Sequence, residues 1–167
     1  MLNFGVSKKA AFPSAFTNIS ILLVEDTPPM SDLIVAMLAD MNVRRVYPVE
    51  NGEVALNVYR RNPDNFDVVI SDWVMPKMSG MELLREVRAI DPEIPFMMLT
   101  VRTAEEAIKD AQDANVTGYL TKPFKAQVFH ERMTAILTEV LDRKNNPPPA
   151  VDDDADDDED SDYVDFC

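Results

Sequence analysis

Four of five short apolar runs in this chain end at residues suited to phosphate or metal chemistry: Glu25-Asp26, Asp72, Thr100 and Lys122. Carboxylates supply hard oxygen ligands for a divalent cation or a nucleophile for a phosphoryl group, a hydroxyl donates to a phosphoryl oxygen, and an ammonium group balances the charge. Taken singly, each has an ordinary explanation as a solvated loop acid, a strand-ending threonine or a surface lysine. Their recurrence after apolar runs is what matters. A parallel sheet flanked by helices gathers the carboxyl ends of its strands at one edge, where open α/β sheets bind ligands. Three carboxylates brought together there repel unless a cation sits among them. Mg²⁺ takes one or two carboxylates plus waters and phosphate oxygens.

The elements that would position these groups follow from the apolar pattern. Ile19–Val24, Val43–Val49, Phe66–Ser71, Ile94–Leu99 and Val116–Leu120 read as five strands, the second weakened by Arg44, Arg45 and Pro48. Between them fall helical patterns. Thr27 caps one that tolerates Pro28 and Pro29 in its first turn and carries Leu33, Ile34, Met37, Leu38 and Met41. Asn51-Gly52 opens the next, with Val54, Ala55, Val58 and Tyr59 on one side, and Ser79-Gly80 the third, with Met81, Leu84, Val87 and Arg88. Thr103 caps Ala104–Ala114, and Phe124–Arg143 is the last helix, ended by Pro147-Pro148-Pro149. Alternating strands and helices with right-handed crossovers predict a flavodoxin-like α/β fold, a five-stranded parallel sheet of order 2-1-3-4-5 with helices on both faces.

Composition delimits the rest. The net charge of −14 is unevenly placed: residues 150–167 carry ten acidic side chains and no Lys or Arg, leaving 20 acidic against 16 basic elsewhere, a net of −4. We therefore expect an irregular N-terminal extension (1–18), one folded domain (19–144) and a disordered Pro/Asp-rich acidic tail (145–167). No basic face invites nucleic acid, and no apolar stretch approaches a membrane span. Cys167 is the only cysteine and suits a reducing, cytoplasmic setting. The acids at Asp152, Asp154 and Asp156 imitate the start of a calcium loop, but Asp157 stands where its Gly belongs and Tyr163 where its final Glu belongs, which rejects that reading. Tyr163-Val-Asp-Phe-Cys places two aromatics beside acids and is either a short docking motif or an uncompensated end. His130 is expected at the surface, and the methionines, Met97-Met98 among them, in the core.

Ile-Ser-Asp72-Trp-Val-Met-Pro76-Lys-Met-Ser-Gly80-Met-Glu-Leu-Leu-Arg, the Val-Glu25-Asp26 step, Leu-Thr100 and Gly-Tyr119-Leu-Thr-Lys122-Pro123-Phe together resemble the response-regulator receiver domain, in particular its stand-alone, CheY-like members, over about residues 19–143. The resemblance implies that Asp72 is the phosphoacceptor. It also implies that Asp26, Asp72 and the Val74 backbone carbonyl bind Mg²⁺ directly, with Glu25 acting through a metal-bound water. Lys122 would bridge to the phosphoryl oxygens, Thr100 and Tyr119 would be the switch residues, and Pro123 would occupy a cis-proline position that aims Lys122. In the family the positions of Val74 and Arg102 border the reacting group and influence its lifetime; the resemblance with an apolar Val74 there implies slow self-dephosphorylation. The implied partners are a histidine kinase or phosphotransfer protein and a downstream protein contacted by the face of the fourth helix, fifth strand and last helix. The domain would be a monomer or a phosphorylation-dependent dimer. It would not be an enzyme beyond self-catalysed phosphoryl uptake and loss. Two alternatives stand beside this: a Mg²⁺-dependent phosphohydrolase with an aspartate nucleophile, which would need an acid where Val74 stands, and a phosphorylation-independent docking module.

Overall fold

Side chains that alternate along three buried strands divide the core of this protein into two layers. The computed structural model describes residues 14–101 and 115–147; the expected helix over 104–114, Arg102 and most of the acidic tail lie outside them. Strands β1 (Ser20–Val24), β2 (Arg45–Val49), β3 (Val68–Asp72), β4 (Phe96–Thr100) and β5 (Gly118–Thr121) form one sheet in the order β2-β1-β3-β4-β5. Every pairing is parallel, so the expected topology is the observed one. Ile21, Leu23, Val68, Ile70, Met97 and Leu99 face helices α1 (Pro28–Asp40) and α4 (Ala126–Asn145). Leu22, Val24, Val69, Phe96 and Met98 face α2 (Gly52–Arg61) and α3 (Gly80–Ile90). A strand buried on both faces needs this continuous apolar character. The edge strand β2 does not: its residues are exposed or half-buried, and the missing N–H of Pro48 is tolerated there.

The strands begin one or two residues later than the apolar pattern implies, and β3 and β4 extend one residue further to include Asp72 and Thr100 themselves. Two helices are rotated relative to the sequence reading. Leu33 is half exposed, while Ile34, Met37 and Leu38 point inward. In α2 the buried line is Gly52, Ala55, Leu56 and Tyr59, leaving Val54 outside. The cause is local. Asn51 accepts from the Val54 amide at 3.0 Å, and Gly52 abuts the Met78 backbone so closely that a Cβ would lie 2.8 Å from its carbonyl oxygen. Those contacts fix the helix about its axis.

Residues 14–18 are not irregular. They form a 3-10 turn that buries Phe16, and Lys144 from the end of α4 donates to the Asn18 carbonyl at 3.3 Å. Thr27 holds the position before α1, but its side chain bonds Asp26 (3.4 Å) rather than the helix. Pro28 and Pro29 have no N–H to offer, and the Met30 amide already reaches the Thr27 carbonyl. His130 is half-buried rather than superficial, its ring 6.3 Å from that of Phe129.

Candidate functional site

The parallel register brings the chemistry-bearing residues to the carboxyl edge of the sheet. Glu25 follows β1, Asp72 ends β3, Thr100 ends β4 and Lys122 follows β5. Backbone bonds lock these positions. The Glu25 amide donates to Val49 O (3.1 Å), the Trp73 amide to Leu99 O (2.8 Å) and the Lys122 amide to Thr100 O (2.6 Å). Helix α3 closes the loop after Asp72. Ser79 and Glu82 form a reciprocal capping box at its start, and Gly80 donates to Trp73 O at 2.9 Å. A Cβ on Gly80 would overlap the Asp72 carbonyl oxygen and come within 2.8 Å of the Met98 sulfur. Only glycine lets the helix approach the Asp72 backbone this closely.

At the centre lies the Lys122 ammonium. It donates to Asp72 Oδ2 at 2.9 Å and to Glu25 Oε2 at 2.7 Å, across 50 and 97 residues of sequence. The three side chains are 12%, 11% and 0% exposed respectively. Burial alone would lower the Lys122 pKa. The hydrogen bonds from Glu25 and Asp72 and their negative charges outweigh it and raise the value above the ordinary one. The second oxygen of Glu25 accepts from the Thr27 amide at 3.1 Å, and Asp72 Oδ1 lies 3.4 Å from the Val74 amide. Asp26 completes the cluster from an exposed position, and carboxylate oxygens of Glu25, Asp26 and Asp72 lie within 4.8 Å of one another. Hard oxygen donors so spaced, with the Val74 backbone beside them, fit a divalent cation of the Mg²⁺ class.

The remaining expected residues fall around this centre. Thr100 is fully buried and in register with Thr121. Tyr119 is half-buried against the α2–α3 core layer, and burial raises its phenol pKa. The Lys122–Pro123 peptide is cis. The Val74 side chain is 62% exposed at the rim; Arg102 lies outside the described residues. One feature was not foreseen: Glu25 grips Lys122 directly. Its signal was present in the sequence, because Glu reaches one methylene further than Asp. The Asp72–Lys122 pairing, in contrast, was expected from charge alone.

Residues 21–134 match the family model described as the response regulator receiver domain. The chain is 36% identical over 122 residues to the chemotaxis protein CheY of Pseudomonas aeruginosa, covering 72% of this chain and 97% of that protein. It is 33% identical over 121 residues to CheY-3 of Vibrio cholerae, covering 71% and 92%. The solved structure of V. cholerae CheY4 superposes with a TM-score of 0.64 at 28% identity, over 71% of this chain and 98% of that one. The matched span contains β2 to β5, all of β1 but Ser20 and the whole carboxylate–lysine cluster, and with that arrangement of Asp72, Glu25, Asp26 and Lys122 at the sheet edge the chain belongs to the response regulator receiver domain family.

Proposed function

We propose that Asp72 accepts a phosphoryl group from a histidine kinase or phosphotransfer protein and that the domain signals through protein contacts. The observation that carries this reading is the buried ammonium of Lys122 held between Asp72 and Glu25. A lysine fixed 2.9 Å from a carboxylate at a sheet edge is placed to follow that carboxylate's charge as it changes. In the transfer, an Asp72 oxygen forms a bond to phosphorus as the donor's P–N bond breaks, and the histidine nitrogen leaves with the electron pair. Asp26, Asp72, the Val74 carbonyl and, through a water, Glu25 would hold Mg²⁺, which when bound neutralises charge on the phosphoryl oxygens. Lys122 then moves its hydrogen bond from Asp72 to a phosphoryl oxygen. The Thr100 hydroxyl donates to a second one, and Tyr119 turns into the space released. The phosphoryl group thereby biases an equilibrium between two arrangements of the face that includes β5 and α4.

Chemistry of this kind is stoichiometric, so the domain is not a turnover enzyme. A phosphohydrolase with an aspartate nucleophile needs an acid to protonate the leaving group, and the exposed Val74 supplies none. The chemotaxis relatives favour a motility-type target over a relay intermediate, in the cytoplasm. Acetyl phosphate with Mg²⁺, followed by intact-mass analysis, tests the proposal. Wild type gains the mass of one phosphoryl group and Asp72→Asn does not. Equal labelling of both, or sustained release of phosphate from small esters, overturns it.

A further inference from the structure

Strand β5 and the first half of α4 border an open groove of about 690 Å³, within the size range of ligand-binding clefts. Its apolar strip is Tyr119, Phe124 and Val128, the last of these 38% exposed. Lys125 and Arg132 flank the strip, and among the described residues no acidic side chain lines it. Neither cation has an acidic partner among the described residues, whereas Arg60, Arg143 and Lys144 are paired with Glu86, Glu139 and Asp67. Two clefts at the opposite end of the sheet mix acids with bases: Asp67, Asp91 and Glu93 with Arg143 and Lys144, and Asp64 and Asp67 with Arg45 and Lys144. An acidic peptide with aromatic anchors therefore matches the β5–α4 groove, whose described lining carries cations alone, better than those mixed clefts.

The chain carries such a peptide. Residues 150–167 hold ten acids, and Tyr163 and Phe166 sit among them with Asp162 and Asp165 adjacent. The geometry points to this segment as the occupant: Tyr163 and Phe166 insert along Tyr119, Phe124 and Val128 while their neighbouring acids pair with Lys125 and Arg132. Reach agrees. Helical rise puts Arg132 and Lys125 about 20 and 30 Å from the end of α4. A Gly-rich link of the length from Pro147 to Tyr163 would span about 20–24 Å; the prolines and the acidic run extend this one beyond that, up to a limit of about 55 Å. Both separations lie within that reach, so the link makes the contact intramolecular and weak contacts suffice. The tail thus covers in cis the face that a partner protein would use. That consequence for signalling rests on the receiver reading above; the contact itself does not.

The single cysteine allows a direct test in the full chain. A nitroxide attached to Cys167 is read by paramagnetic broadening of ¹⁵N-labelled amides, with no phosphoryl donor present. Broadening concentrated on residues 118–132 is expected. It should fall at least threefold in Lys125→Glu/Arg132→Glu, in Tyr163→Ala/Phe166→Ala and at high salt, while amide dispersion shows each variant folded. Broadening spread evenly, or centred elsewhere, or unmoved by charge reversal, overturns the proposal. So does broadening of the groove in a mixture of nitroxide-bearing unlabelled chains with ¹⁵N chains, which would place the tail on a second copy.

Discussion

Replacing Lys122 with Met removes the one cation that two buried carboxylates share and leaves the hydrocarbon stem almost unchanged. Breaking a buried pair by deleting one partner costs about 3–5 kcal/mol, because the survivor stays desolvated and uncompensated. Here two survivors remain, but the cluster opens to water through exposed Asp26, so the lower end applies, about 3 kcal/mol. For a domain of this size that corresponds to a fall in Tm of about 10–15 °C. Urea unfolding in EDTA measures it, with Lys125→Met as the control expected to stay within about 0.5 kcal/mol. The Lys122 pKa is raised in the folded protein, so its contribution is fully present below the ordinary lysine value of about 10.4 and is lost as pH rises through the higher folded value. The stability gap between wild type and variant is therefore flat from pH 7 to about 10 and closes only above that. Mg²⁺ should stabilise the variant more than wild type, since tenfold tighter binding to the unpaired acids adds about 1.4 kcal/mol at saturation. A variant within 0.5 kcal/mol of wild type in EDTA, or equal stabilisation of both by Mg²⁺, refutes the argument.

Three other substitutions examine the supports of the site. Gly80→Ala forces a methyl against the Asp72 carbonyl oxygen and the Met98 sulfur; a loss of about 1–3 kcal/mol in urea unfolding and slower phosphorylation by acetyl phosphate are expected. Asn51→Ala removes the side-chain acceptor for the Val54 amide and lowers stability by about 1 kcal/mol without altering phosphorylation once the protein is folded. Val74→Asn places an amide at the exposed rim beside Asp72, where it can orient an attacking water; one such hydrogen bond shortens the phosphoryl lifetime about tenfold, and an unchanged lifetime in intact-mass time courses would count against slow loss being set by Val74.

The strand ends were legible in the sequence because a buried parallel strand must be apolar throughout and then stop. The polar residues at or just beyond the ends of four runs, Glu25, Asp72, Thr100 and Lys122, are by that fact at the carboxyl edge. What the sequence did not reveal depends on backbones meeting from distant parts of the chain. Leu56 rather than Val54 lies inside because Gly52 packs on Met78, twenty-six residues away. Phe16 is buried because α4 returns to cover it, with Lys144 pinning the Asn18 carbonyl. Thr27 turns to Asp26 because two prolines leave no free amide at the helix start. Periodicity specifies which residues share a helix face, but a contact of one glycine decides where that face points.

The pairing of Glu25 with Lys122 bears on function as much as on stability. On the proposed function, acyl phosphate formation would replace one negative charge on Asp72 with about two. The edge of the sheet then needs more positive charge, yet Lys122 has only three donors, and two are committed to Glu25 and Asp72. The bond to Asp72 is released by the reaction itself, since that oxygen becomes part of the phosphoryl linkage or loses its charge. The bond to Glu25 is not. Glu25 is fixed on its other oxygen by the Thr27 amide and is fully buried at the side chain, so it cannot swing away to solvent. On that reading Lys122 reaches the phosphoryl oxygens while still tethered to Glu25, which keeps the ammonium beside Asp72. The extra methylene of Glu25 is what makes this tether long enough to hold at 2.7 Å across the width of the site.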